Sequence, residues 1–181
     1  MGTNIYNIEK FNAGTEYKKN DIVWHDLTVS SKTRKYYWYA SVPGVLSAPS
    51  LSNHEWAGVK FDSIKTTTNK PHFWWKPSYN FTIESKPRVI RHAYGDGYEQ
   101  RLIDGIESVL LRATISFETR DAAEAKAITH FFHMRKAQES FLCMLPAPYN
   151  IDKLYVARDW GVTFNFYDNY SIRATFEEVT N

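Results

Sequence analysis

Three stretches of this 181-residue chain alternate apolar and polar side chains with a period of two, and that constrains the fold more than anything else in it. Val109, Leu111, Ala113, Ile115 and Phe117 take the odd positions of the first, and from Arg112 onward its even positions are polar. Val162, Phe164 and Phe166 alternate with Thr163 and Asn165, and Ile172, Ala174 and Phe176 alternate with Arg173 and Thr175. Successive strand side chains point to opposite faces, so each stretch predicts an antiparallel strand with one buried and one wet face. Tyr167, Asp168, Asn169 and Tyr170 between the last two read as a hairpin turn, because Asp and Asn tolerate positive φ. Gly95, Asp96 and Gly97 form a second tight turn, between strands around Val89 and Ile90 and from Tyr98 to Leu102.

One helix interrupts these strands. Asp121 with Glu124 three residues on is a capping-box-like start, and Ala122, Ala125, Ile128, Phe131 and Phe132 follow at spacings of three and four. The helix is expected to end between Arg135 and Gln138, where a cation suits the dipole. Phe141, Leu142, Cys143, Met144 and Leu145 then read as a short buried strand, stopped by Pro146 and Pro148. A helix set between antiparallel strands is an α+β or helix-covered sandwich layout, mainly β.

The first third differs. A boundary is expected near residues 62–72, because the seven positions 63–69 contain one apolar residue and Pro71 follows. This divides the chain into residues 1–71 and 72–181. Before the boundary 9 cations stand against 6 anions, and after it 13 against 14, giving +3 and −1. Three strand-like pieces precede it: one from Asp21 to Trp24, an aromatic run from Lys35 to Val42, and a short one at Glu55 and Trp56. Three short strands make a small core, so large aromatics must supply much of its buried area.

Several function classes are disfavoured. A net charge of +2 is a weak field for a general nucleic-acid or anionic-membrane binder. No apolar run approaches the ~20 residues of a membrane span. The first residues lack an apolar targeting segment, and Tyr6 stands where a Gly2 acylation motif needs Ser or Thr. The single cysteine, Cys143, forbids an intramolecular disulfide and sits in an apolar run where a thiol acts as a small hydrophobe. His130 and His133 lie three apart on the helix, but no further ligand stands at metal spacing. No phosphate loop or nucleophile motif occurs, so neither a catalytic residue nor a cofactor or metal is expected.

The candidate contact residues are Trp24, Tyr37, Trp38 and Trp56. Aromatic faces stack on sugar rings or bases, and Lys32, Arg34 and Lys35 lie close by. Alternation puts Tyr37 and Tyr39 on one face of their strand and Tyr36 and Trp38 on the other. Two readings stand: one pair is exposed as a binding platform, or both pairs are core for a part poor in other apolar residues.

Two resemblances add to this. Lys86, Pro87, Arg88, Val89 and Ile90, then Tyr94-Gly95-Asp96-Gly97-Tyr98-Glu99-Gln100-Arg101 and Asp104-Gly105-Ile106, resemble the opening of the minor tail protein M family of long-tailed, lambda-type bacteriophages. Family order continues through the strand ending Ile115-Ser116-Phe117, the helix with Glu124, Ala125 and Ile128, then Ser140-Phe141 and Pro146. Trp160 after Tyr155-Val156-Ala157-Arg158 and the ending Ala174-Thr175-Phe176-Glu177-Glu178-Val179 complete it. Relatives often carry a Trp before their prolines, where this chain has Phe141 to Leu145. Separately, Ala13 to Val23, Lys35-Tyr36-Tyr37, Ala40, Pro49 and Trp56 resemble the small chitin-binding-type carbohydrate-binding modules. There Asn20 replaces a glycine, and residues 26–34 replace a short turn.

The first resemblance implies a tube-like antiparallel β-sandwich or barrel with one covering helix, over about residues 72–181, beside a small three-stranded aromatic-rich module. It implies a structural protein of the tail tip or baseplate, in the virion and assembled in the host cytoplasm. Such a protein forms a homo-oligomeric ring of six, or else three, subunits between tail-tube or distal-tail and baseplate hub proteins. DNA passes through the ring without specific binding, and no membrane is a partner. The N-terminal module would face outward, toward surface polysaccharide or a fibre protein. A glycan-binding accessory or adhesion protein is the alternative, and a hydrolase the least favoured reading.

Overall fold

Each alternating stretch is a strand, and the turns fall where Asp and Gly allow them. The computed structural model describes residues 6–29, 31–61, 69–105 and 108–180. Gly2, Ile106 and positions 62–68 of the polar boundary stretch lie outside the described residues.

β1 (Ile22–Val29), β2 (Lys32–Ala40) and β3 (Trp56–Ala57) form a three-stranded antiparallel sheet. β4 (Val59–Phe61), β5 (Asn69–Phe73), β6 (Thr82–Pro87), β9 (Val109–Arg120), β10 (Phe141–Met144), β11 (Asp152–Phe166) and β12 (Asn169–Glu178) form a larger sheet, in the order β4-β5-β10-β11-β12-β9-β6. β5 and β10 pair in parallel, and the other neighbours in this sheet are antiparallel. β7 (Val89–Ala93) and β8 (Glu99–Ile103) pair only with each other. The chain is thus mainly β, with an aromatic-rich three-stranded sheet and one helix, α1 (Ala122–Arg135), laid on the larger sheet.

α1 starts as its sequence dictates. The Asp121 carboxylate accepts the Glu124 N–H at 2.7 Å, and Asp168, from the β11–β12 turn, accepts the Ala122 N–H at 2.8 Å. At its other end Lys136 turns left-handed at φ +50 and donates its N–H to the Phe132 carbonyl. The stripe of Ile128, Phe131 and Phe132 is fully buried against Ala113, Ile115 and Phe117 of β9 and Ala174 and Phe176 of β12. Phe73 of β5 sits at the centre. It stacks on Phe132 with ring centroids 5.4 Å apart and planes at 11°, and meets Phe117, Phe131, Phe141 and Phe176 edgewise or tilted.

The smaller sheet shares its middle strand with this core. Tyr39 of β2 is buried in the large cluster, while Trp38 next to it is buried in a second one with Val23, Ala40, Val45 and Trp56. Strand alternation delivers the two rings to opposite sides. Trp75 packs on Tyr39 with centroids 5.0 Å apart and donates its indole N–H to Asn20 at 3.3 Å. Asn20 itself is left-handed, at φ +69, the conformation a glycine would otherwise supply. The chain crosses from the smaller sheet to the larger at Gly58, where φ is +132 and a Cβ would lie 2.6 Å from the Tyr37 carbonyl oxygen. Only glycine fits there.

Three elements differ from expectation. Pro71, read as the end of a loop, lies inside β5, where it faces Val59 of the short strand β4. β5 and β6 form although they carry little apolar alternation, and residues 26–29 and 31–34 lengthen the β1–β2 hairpin. Met144 is exposed, so the run from Phe141 is buried in all but that position.

Phe73→Ala is expected to remove about 3–5 kcal/mol of stability, the usual range for a buried phenylalanine that leaves a cavity. Urea unfolding followed by tryptophan fluorescence checks it; a loss under about 1 kcal/mol would show that this ring is not central.

Candidate functional site

β7 and β8 extend from the ends of β6 and β9 as a two-stranded ribbon with nine of its ten residues exposed. Its apolar side chains do not enter a core: Val89, Ile90, Leu102 and Ile103 face solvent, Ile103 with 75% of its surface. At the tip Gly95–Gly97 make one 3-10 turn, with Asp96 at φ +66. Tyr94 and Tyr98 flank it, rings 5.7 Å apart, and Tyr98 is 67% exposed. Arg91 and Arg101 reach Glu99 at 3.5 and 3.2 Å, which holds its carboxyl below the usual range, mainly through the Arg101 hydrogen bond. Asp96 takes part in no such pair among the described residues. A lone two-stranded ribbon is marginal in water, and this one leaves its apolar side chains bare.

The β11–β12 hairpin also outruns the sheet. Phe164, Phe166 and Tyr167 at its tip are 76%, 71% and 96% exposed, although their alternation reads as a buried face. The strand period assigns a side, but among the described residues that side is bare except for Tyr170, whose ring meets Phe164 edgewise at 5.2 Å. These residues were not among the candidates, and the signal for them was an apolar alternation running straight into a turn.

The sheet has one more open surface. Opposite α1, the face of β6, β9, β12 and β11 presents Thr82, Thr114, Ser116, Thr163, Ser171 and Arg173 around a shallow groove of about 440 Å³. Its charges are partly compensated: Arg158 lies 2.7 Å and Arg112 3.9 Å from Glu177. Hydroxyls and paired charges of this kind leave a wet, weakly charged wall.

The four aromatic candidates do not come together on one exposed platform. Trp38 is 1% and Trp56 5% exposed, and both are core, with the Trp56 indole N–H donated to the Ser47 carbonyl at 2.8 Å. Trp24 and Tyr37 are cross-strand partners and half-buried. The Lys35 ammonium lies 4.2 Å from the Trp24 ring centre and 5.3 Å from that of Tyr37, with Lys10 5.1 Å from Trp24. Tyr37 also packs edgewise on His130, centroids 4.9 Å apart. The small part thus spends most of its aromatics on its own core, and Trp24 with its two lysines remains at the surface.

The helix histidines have other work. His130 is fully buried, and its Nδ1 lies 3.1 Å from the Tyr39 hydroxyl; Tyr6, Tyr37 and Tyr39 ring it, and Tyr6 also meets His133. No group of three or more metal-ligating side chains occurs among the described residues. Cys143 is buried, which pushes its thiol up to about 12 and leaves it unreactive at neutral pH.

Burial, aided by Arg135, His133 and Lys126, lowers the His130 pKa from 6.5 to about 4. The unfolded chain therefore binds the extra proton first as pH falls. Stability from neutral His130 is complete above pH 6.5 and drains between 6.5 and 4, by on the order of 3 kcal/mol. Thermal melting across that range should show the decline, and His130→Gln should flatten it; an unchanged slope in the variant would assign the decline to other groups.

Comparison with known proteins bears on these surfaces. A family model described as phage minor tail protein matches residues 71–180, well over half of the chain. No curated protein matches. Five solved chains match, among them one from the tail of an empty GTA particle with C6 symmetry. That chain is 8% identical over 70% of this chain and 84% of its own, with a TM-score of 0.39.

Proposed function

Because this chain belongs to the phage minor tail protein family, and so is a structural protein of the virion's tail, we propose that it forms a ring at the tail tip. The ring continues the tail tube toward the hub and leaves a channel for DNA. The observation that carries this reading is the uncovered ribbon of β7 and β8, which holds the GDGYEQR residues and contributes nothing to the core of its own chain. An element that is costly when bare and unnecessary to the fold is expected to be covered in an assembly.

Two further features support the ring. β6 is the outer strand of the larger sheet on the side of β9, so its free edge can pair with a neighbour, and only closure removes such edges all round. The hydroxyl-rich face opposite α1 is suited to line the channel. Arg112 and Arg158 share Glu177, and Glu118 lines the groove along with Arg173, so the face does not present the row of bare cations that would hold phosphates.

In this reading the outer module of residues 1–71 is its sheet of β1, β2 and β3, while β4 and β5, up to Pro71, belong to the larger sheet of the ring-forming part. Trp24, bracketed by Lys10 and Lys35, is the outward contact point. A neutral sugar stacking there would compete with these ammonium groups for the ring, which favours a protein or anionic partner over the glycan-binding alternative.

Immunogold labelling of purified phage with antibody against this chain tests the placement. Gold confined to the distal end of the tail is expected. Gold along the whole tail or at the head junction would contradict the tail-tip ring.

A further inference from the structure

A second concave surface lies away from the ribbon. The segment joining β5 to β6 supplies Trp74, Tyr79 and Phe81, the turn before β1 supplies Lys19, and Lys76 completes the rim. Pro146, beyond β10, also lines this cavity of about 490 Å³, within the roughly 300–1,000 Å³ typical of ligand sites. Tyr79 is fully exposed. Among the described residues no carboxylate pairs with Lys19 or Lys76, whereas Arg120 is already held by Glu124 at 3.0 Å. The site is therefore an aromatic pocket with two unspent cations, complementary to an aromatic group that carries a carboxylate.

The chain itself displays two such groups. The β11–β12 tip has Phe166, Tyr167 and Asp168, but that carboxylate is occupied in capping α1. The ribbon tip has Tyr94, Tyr98 and Asp96, all exposed, and none of them lines the pocket of its own chain. We infer that the ribbon tip of one copy seats in this pocket of the next copy, its tyrosines against Trp74, Tyr79 and Phe81 and Asp96 against Lys19 and Lys76. The contact is head-to-tail, since tip and pocket are different surfaces, and a head-to-tail contact closes into a ring when its rotation allows. The inference rests on the proposed ring and specifies what joins its subunits.

Disulfide trapping in assembled particles tests it. Gly95→Cys is tolerated sterically, because a Cβ there meets nothing within 4 Å, and Lys76→Cys lies on an exposed loop. Buried Cys143 does not compete. Oxidised particles of phage carrying both substitutions are expected to yield a ladder of linked copies on a non-reducing gel, while each single variant stops at dimers. Several copies per particle by mass spectrometry without a ladder would overturn the tip-in-pocket contact and leave the ring standing; one copy per particle would overturn the ring. Sedimentation of the purified full chain gives a second readout if the double variant fails to enter particles. Lys19→Glu with Lys76→Glu should abolish self-association and Asp96→Lys should restore it, and absence of rescue would overturn the contact.

Discussion

A single helix can seal only one face of a sheet. α1 covers one side of β9, β10, β11 and β12 with Ile128, Phe131 and Phe132, and on β6, β9 and β12 the opposite side carries the hydroxyl-rich groove. The sequence of β9 reflects this division residue by residue, with Ala113, Ile115 and Phe117 beneath the helix and Thr114 and Ser116 facing out. The surfaces left open are the polar face, the edge at β6, the two projecting hairpins, Trp24 with its two lysines and the pocket of the β5–β6 connection.

The N-terminal sheet depends on the same core. β2 has no solvent face in its second half, because Tyr39 enters the large cluster and Trp38 the small one. The hydroxyl of Tyr39 meets buried His130, and Trp75 reaches back to Asn20. The aromatic content of the first third is thus explained by packing: with few aliphatic residues available, each ring fills a large share of a thin interior. The same dual burial ties the smaller sheet to the core of the larger one wherever β2 runs.

Much of the fold was legible. Alternation identified β9, β11 and β12, capping residues identified α1, and left-handed Asn20, Asp96 and Asp168 stand where turn chemistry placed them. β5 and β6 were not legible, since Pro71 argues against a strand and Thr82, Glu84 and Ser85 show no apolar face. The assembly surfaces were legible only in part. Val89, Ile90, Phe164 and Phe166 look like core from periodicity, because a period assigns side chains to a face without saying what covers it. The pocket was invisible for a different reason: Lys19, Trp74, Tyr79 and Pro146 are distant in sequence and converge only when the chain folds.

The central claim is that the body of this protein is folded by its own core and the β7–β8 ribbon by its neighbours. Hydrogen exchange of the purified chain, diluted until it sediments as a monomer, compared with the same chain in intact tails, tests this most directly. The account predicts slow exchange for amides of β9 and β12 in both samples, and for β7 and β8 fast exchange alone with strong protection in tails. A ribbon already protected in the free chain, or still unprotected in assembled tails, would contradict it.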